Sequence, residues 1–296
     1  MTTANINGMQ IEFETFGNPS SPTLLLITGL GCQMIHWQKE LCEKIAEKGL
    51  HVIRYDNRDS GFSTKITGIT MSEAMEKAGR LFMGMGVEVP YSIENMAEDA
   101  VGLLDFLKIE KAHICGMSMG GFIAQTVAIN YTDRLLSLIS IYSSPGNRRE
   151  FMPSQEVMEF MMNPAPAERS AYIEHSIKYL TLISGKKIPL DEEYLRNLAC
   201  EAYDRSFYPD GVIRQYLAIL SQKDRGSSLG KVNVPALVIH GDEDPMIPMA
   251  AGKATAEALP DSKLKIIKGM GHDMPQLNRY WSEIVDAMAE HAMKLS

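Results

Sequence analysis

Ile114-Cys115-Gly116-Met117-Ser118-Met119-Gly120-Gly121 is the stretch that decides the fold of this chain. A buried strand runs into Gly-x-Ser-x-Gly, and the residues after Met119 have the pattern of a helix. A serine held there sits on a turn tight enough to strain its own backbone. The glycines two before and two after it keep side chains out of space that strand and helix must share. The hydroxyl is left at the carboxyl end of a strand, where open α/β sheets carry their chemistry.

The flanking sequence supplies such a sheet. Thr23-Leu24-Leu25-Leu26-Ile27 is a continuous apolar run, the mark of a strand covered on both faces. Further strands are predicted at 51–55, 112–116, 135–142, 236–240 and 264–267. Helices are predicted near 37–47, 92–107, 119–130, 249–259 and 280–294. Asn7-Gly8 marks a hairpin turn at the amino-terminal end. This alternation predicts an α/β fold with a mostly parallel central sheet and helices on both faces. The rhythm breaks after Ser144. From 145 to 230 only helical patterns occur, such as Tyr172 to Leu180, and Ser227-Ser228-Leu229-Gly230 reads as a return linker. The expected organisation is a core of residues 1–144 and 231–296 interrupted by a helical cap at 145–230. Within 65–90, Met71, Met75, Ala78, Phe82 and Met85 fall at helical spacing. That face either packs on the core or lends methionines to an adaptable apolar pocket.

Bulk properties exclude several classes. With 296 residues, 45% hydrophobic and 22% charged, the chain can bury a full core. A net charge of -8 without a basic stripe argues against nucleic acid as a partner. There is no apolar run long enough for a membrane span and no signal-peptide pattern at the start. Cys32, Cys42, Cys115 and Cys200 form no C-x-x-C pair and read as four reduced thiols, so a cytoplasmic location is expected. Cys115 reads as a core residue, and Cys32, in a glycine loop, as accessible to solvent. The sequence has neither H-E-x-x-H nor a Cys/His cluster, P-loop or dinucleotide glycine pattern, so neither metal nor cofactor is expected. Monomer and homodimer are both open.

A serine nucleophile needs a base, a group that orients the base, and donors for the oxyanion. Six of the histidines fall in predicted strands or helices, where packing or surface roles are usual. His272 instead follows the last strand, in Gly269-Met270-Gly271-His272-Asp273, on the same sheet edge as Ser118. The acid falls in Gly241-Asp242-Glu243-Asp244-Pro245. Asp244, deeper in the loop, is favoured to turn toward His272, and Asp242 to tie down the turn. Backbone N–H groups of Met119, at a helix start, and of Leu30, in Gly29-Leu30-Gly31, are the expected oxyanion donors.

These motifs, with His51-Val52-Ile53-Arg54-Tyr55-Asp56-Asn57-Arg58-Asp59-Ser60-Gly61, resemble a single-domain α/β-hydrolase of the carboxylesterase type. The likeness is to the group that includes aclacinomycin methylesterase and the mycobacterial-style carboxylesterases. The resemblance implies ester cleavage through an acyl-enzyme on Ser118, with Asp244 and His272 completing the triad and a small-molecule ester as substrate. Thr28 stands where many of these hydrolases carry histidine, and 65–90 is longer than in aclacinomycin methylesterase. Asn57 to Gly61 is expected to form an Arg–Asp network bracing the elbow. C–C bond hydrolysis and cofactor-free perhydrolysis would use the same triad. A non-catalytic relic binding a small apolar ligand is the remaining reading. Dehalogenases and epoxide hydrolases of this fold need aspartate where Ser118 stands.

Overall fold

The computed structural model describes residues 2–147, 151–161, 163, 165–273 and 280–294. A hairpin opens it. Strands β1 (Thr2–Ile6) and β2 (Met9–Phe16) turn at Asn7-Gly8, both with positive φ, the geometry that two-residue hairpins favour. Strands β3 (Thr23–Ile27), β4 (His51–Tyr55), β5 (Ala112–Met117), β6 (Leu135–Ile141), β7 (Ala236–Gly241) and β8 (Ser262–Ile267) follow. They form one sheet in the order β1-β2-β4-β3-β5-β6-β7-β8. The β1–β2 and β2–β4 pairings are antiparallel and the other five are parallel. This is the α/β architecture expected from the alternation.

The continuous apolar runs serve both faces, because successive side chains of a strand point to opposite sides. Leu25 and Ile27 join Ile53 and Ile114 in one core cluster. There they meet α3 (Ile93–Phe106) and α4 (Met119–Asn130) through Leu103, Leu104, Ile123 and Val127. Leu24 and Leu26 join Val52, Cys115 and Ile139 in the other. That face is covered by α1 (Lys39–Glu47) and α11 (Trp281–Met293) through Leu41, Ile45, Ile284 and Met288. Helix α4 is buried on nearly all sides, so the residue it begins beside is fixed from several directions. The last strand starts at Ser262 rather than Leu264. It lies at the sheet's edge, where Lys263 and Lys265 alternate with Leu264 and Ile266 and dilute the apolar signal.

Between β6 and β7 the described residues contain helices and no strand. They are α5 (Gln155–Met161), α6 (Arg169–Ile183), α7 (Glu192–Ser206), α8 (Pro209–Ser221) and α9 (Gly226–Leu229), followed after β7 by α10 (Met249–Ala258). The stretch expected as a return linker therefore holds a one-turn helix.

Helix α2 (Met71–Phe82) lies against α8, not on the sheet. Its buried face is Ala74, Ala78 and Leu81, which meet Leu217 and Leu220. Met75 is 56% exposed, Phe82 61% and the nearby Met85 44%, so these three side chains do not pack on the core, the first of the two open readings. The apolar arc is wider than the contact, and the alanines allow close approach where the bulkier methionine and phenylalanine do not. The Met71 side chain lies outside the described residues.

Candidate active site

Ser118 occupies the turn between β5 and α4 with φ 55° and ψ −120°, a conformation L residues rarely adopt. Its neighbours explain how the turn closes. A Cβ on Gly116 would lie 1.9 Å from the Gly120 carbonyl oxygen, and one on Gly120 would lie 2.3 Å from that of Ile27. No other residue fits either position. The turn is tied on both sides, since Ser118 N–H donates to the Ile141 carbonyl (3.0 Å) and Ser143 Oγ donates to the Ser118 carbonyl (2.9 Å). The Ser118 side chain is left half-buried at the carboxyl edge of the sheet.

Two later strands deliver their residues to the same edge. His272 follows β8, with Nε2 2.9 Å from Ser118 Oγ and Nδ1 2.8 Å from Asp244 Oδ2. Asp244 follows β7, and its other oxygen accepts from the N–H groups of Met246 and Ile247, both at 2.8 Å. Burial raises the Asp244 carboxyl pKa, but the imidazoles of His272 and His240 outweigh it and bring it down to about 2. Asp242 accepts from Gly269 N–H and so fixes the turn before the histidine loop. Asp244 thus lies against His272 and Asp242 against the turn.

The histidine loop is also held from the helical insertion. His272 N–H donates to the Ile183 carbonyl at 2.7 Å, at the end of α6. Asp273 Oδ1 accepts from Gly271 N–H (2.6 Å) and Gly185 N–H (3.3 Å), joining both loops. The Tyr142 ring lies 4.5 Å from the His272 ring, centroid to centroid, and limits its tilt.

Of the two expected oxyanion donors, Met119 follows Ser118 directly and Leu30 follows Gly29, which lies against Ser118. Met119 is the first residue of α4, so its N–H has no intrahelical acceptor. Gly29, immediately before Leu30, is close enough that a Cβ there would be 3.3 Å from Ser118 Cβ. Thr28 is held by Asn57, whose Nδ2 donates to its Oγ1 (3.1 Å) and carbonyl (3.2 Å).

The charges of Asp56 to Gly61 take part in an Arg–Asp network, with every partner outside the loop. Arg58 makes two hydrogen bonds to Asp99 of α3 (2.7 and 2.8 Å). Asp59 accepts from Arg214 of α8 (2.9 and 3.1 Å) and from Tyr91 Oη (2.7 Å). Asp56 pairs with Arg205 of α7 at 2.7 Å. The loop is thus a junction between sheet and insertion. All these partners except Asp99 and Tyr91 lie more than a hundred residues along the chain, so local sequence carried no sign of the pairing.

Three further residues near the triad gave no sequence signal. His240, expected only to pack, has Nε2 3.4 Å from Asp244 Oδ2 and 2.8 Å from the Ile247 carbonyl. Tyr142 reads as an ordinary strand end. Gln215 is a buried amide in the middle of a helix. The four cysteines are free, and Cys115 is buried as expected. Cys32 is half-buried rather than open, and burial pushes its thiol up to about 12, which disfavours the thiolate. Among the described residues no group of His, Cys, Asp and Glu could hold a metal, and no helix is long and apolar enough to cross a membrane.

Comparison with known proteins places the chain among known folds. Rhodomycin D methylesterase of Streptomyces peucetius is 28% identical over 281 residues, covering 88% of each chain. The 3-oxoadipate enol-lactonase 2 of Acinetobacter baylyi is 24% identical over 275 residues, covering 90% of this chain and 88% of its own. The crystal structure of an enol-lactonase from Burkholderia xenovorans LB400 superposes with a TM-score of 0.72 at 20% identity, over 99% of both chains. The family model of the alpha/beta hydrolase fold matches residues 22–275. The chain belongs to the α/β-hydrolase fold family.

Proposed function

We propose that this chain is a serine carboxylesterase acting on small to medium apolar esters. The observation that carries the reading is the unbroken relay Ser118 Oγ–His272 Nε2 (2.9 Å) and His272 Nδ1–Asp244 Oδ2 (2.8 Å), set on a strained turn. His272 takes the Ser118 proton as Oγ attacks the ester carbonyl, and Asp244 holds the imidazole in the required tautomer and steadies the imidazolium. The N–H groups of Met119 and Leu30 receive the negative charge that forms on the carbonyl oxygen. His272 then protonates the departing alcohol, and water frees the acid by the same relay.

The names of the relatives support ester cleavage over the other uses of the same triad, since a methyl ester and a lactone are both carboxylic esters. The helical segment 145–230 acts as a cap over the site, in keeping with its bonds to the histidine loop and to the Asp56–Gly61 loop. The test is hydrolysis of p-nitrophenyl esters of increasing acyl length by the wild type and by Ser118→Ala. The reading expects turnover that falls with long acyl chains and vanishes in Ser118→Ala. Full activity in Ser118→Ala would overturn it.

A further inference from the structure

The insertion also reaches the loop expected to hold the oxyanion. Gly31 N–H donates to Gln215 Oε1 at 2.8 Å, and Gln215 Nε2 donates to the Arg58 carbonyl at 2.9 Å. Gln215 lies on α8 and is 1% exposed, so its bond to the Arg58 carbonyl is buried and its bond to the exposed Gly31 is partly so. Arg58 is itself fixed by Asp99, which gives the amide a rigid anchor. Val212, one turn before Gln215, touches Gly31, where a Cβ would come within 3.3 Å of its methyl.

The physical need for such an anchor follows from the sequence of the loop. Leu30 stands between two glycines, and Gly31 has φ 69°. Glycine gives each neighbouring peptide plane several accessible orientations at little cost. A donor aids an oxyanion only if it is already aimed when the charge develops. Gly29 is pressed against Ser118 on one side. On the other side the peptide plane of Leu30 and Gly31 is held through Gly31 N–H. We infer that Gln215 is a positioning residue that fixes Leu30 N–H toward the oxyanion by capturing the N–H of Gly31. The inference rests on the serine esterase reading above and makes the helical insertion part of its catalytic apparatus.

The experiment uses the full chain, p-nitrophenyl acetate and an arylboronic acid. The tetrahedral boronate adduct on Ser118 carries an oxygen in the oxyanion position. Losing one aimed donor typically costs about a hundredfold or more in turnover. Gln215→Met, of similar volume but without the acceptor, is expected to lower kcat by about a hundredfold, leave KM within about threefold, and weaken boronate binding in step with kcat. Gln215→Glu keeps an oxygen acceptor for Gly31 N–H but loses the donor to the Arg58 carbonyl, and its kcat is expected to fall between those of wild type and Gln215→Met. If Gln215→Met does not fold, Gln215→Glu still decides, because a loss of kcat with boronate affinity intact overturns the inference. Unchanged kcat in Gln215→Met, or a loss carried in KM with boronate affinity intact, also overturns it. Ser118→Ala in parallel separates the two claims. An active Ser118→Ala sinks the esterase reading, whereas an inactive Ser118→Ala beside a fully active Gln215→Met sinks only the role of Gln215.

Discussion

Asp244 Oδ2 lies 2.8 Å from His272 Nδ1, while Asp242, two residues earlier, turns the other way and accepts from Gly269 N–H. Two carboxylates on one five-residue loop therefore do different work. In Asp244→Asn the amide favours the wrong imidazole tautomer, and kcat is expected to fall by about 10⁴ with little change in KM. Asp242→Asn leaves the relay intact and is expected to reduce melting temperature more than kcat. Steady-state kinetics and thermal unfolding on the two variants check this. Equal losses of kcat would mean that the loop does not separate the roles.

The ion pair of Asp59 with Arg214 is buried at both ends and joins the sheet to the helical insertion. Arg214→Met would leave the Asp59 carboxylate with Tyr91 Oη and Ile66 N–H but without its directly bonded cation. Removing one member of a buried pair typically costs about 3–5 kcal/mol. Urea unfolding of Arg214→Met should report a loss of that size, and Asp59→Asn combined with Arg214→Met should recover part of it. A loss no greater than that of a surface pair, under about 1 kcal/mol, would show that the junction is not held by this charge.

Much of the fold is legible because its strands are buried on both faces. Leu24 to Ile27 cannot alternate with polar residues when each side of the sheet is covered, and that continuity is visible without any partner. The elbow is legible because only glycine fits beside Ser118. Chain order and sheet edge point to His272 and Asp244 before any distance is known. The junction around Asp56 to Gly61 is not legible, since Arg205 and Arg214 reach it from a different part of the chain. The outward side of α2 is not legible either. Periodicity defines an apolar arc of Met71, Met75, Ala78, Phe82 and Met85, but only the packing partner decides what is covered, and α8 covers Ala78 with Ala74 and Leu81 instead. Gln215 is invisible for the same reason. A glutamine inside a helix reads as solvated surface until the loop it anchors is in view.

Stability should fall on the acid side of neutrality. Burial disfavours the imidazolium forms of His36, His113 and His291 and lowers each from the ordinary value near 6.5 to about 4. The folded-state values lie below the unfolded one. The contribution is thus complete above about pH 6.5 and is lost as pH falls toward 4. Near pH 5 the unfolded chain binds more protons than the folded one, and each extra proton gives a slope of about 1.4 kcal/mol per pH unit. Glu12, raised by burial, opposes this as a single group. Asp244, held near 2, stays ionised across the same range and leaves the relay charge in place. Urea midpoints between pH 7 and 5 should decline steadily, and a flat profile would contradict buried neutral histidines.

The central claim is that Ser118 is the nucleophile of a preassembled relay. It is tested most directly by reaction of the native chain with a fluorophosphonate, followed by mass spectrometry of the intact chain and of its peptides. One phosphonyl group per chain is expected, on the peptide that carries Gly116-Met117-Ser118-Met119-Gly120, with labelling abolished in Ser118→Ala and strongly slowed in His272→Ala. A label on another residue, or a native chain that stays unlabelled while it hydrolyses esters, would contradict the account.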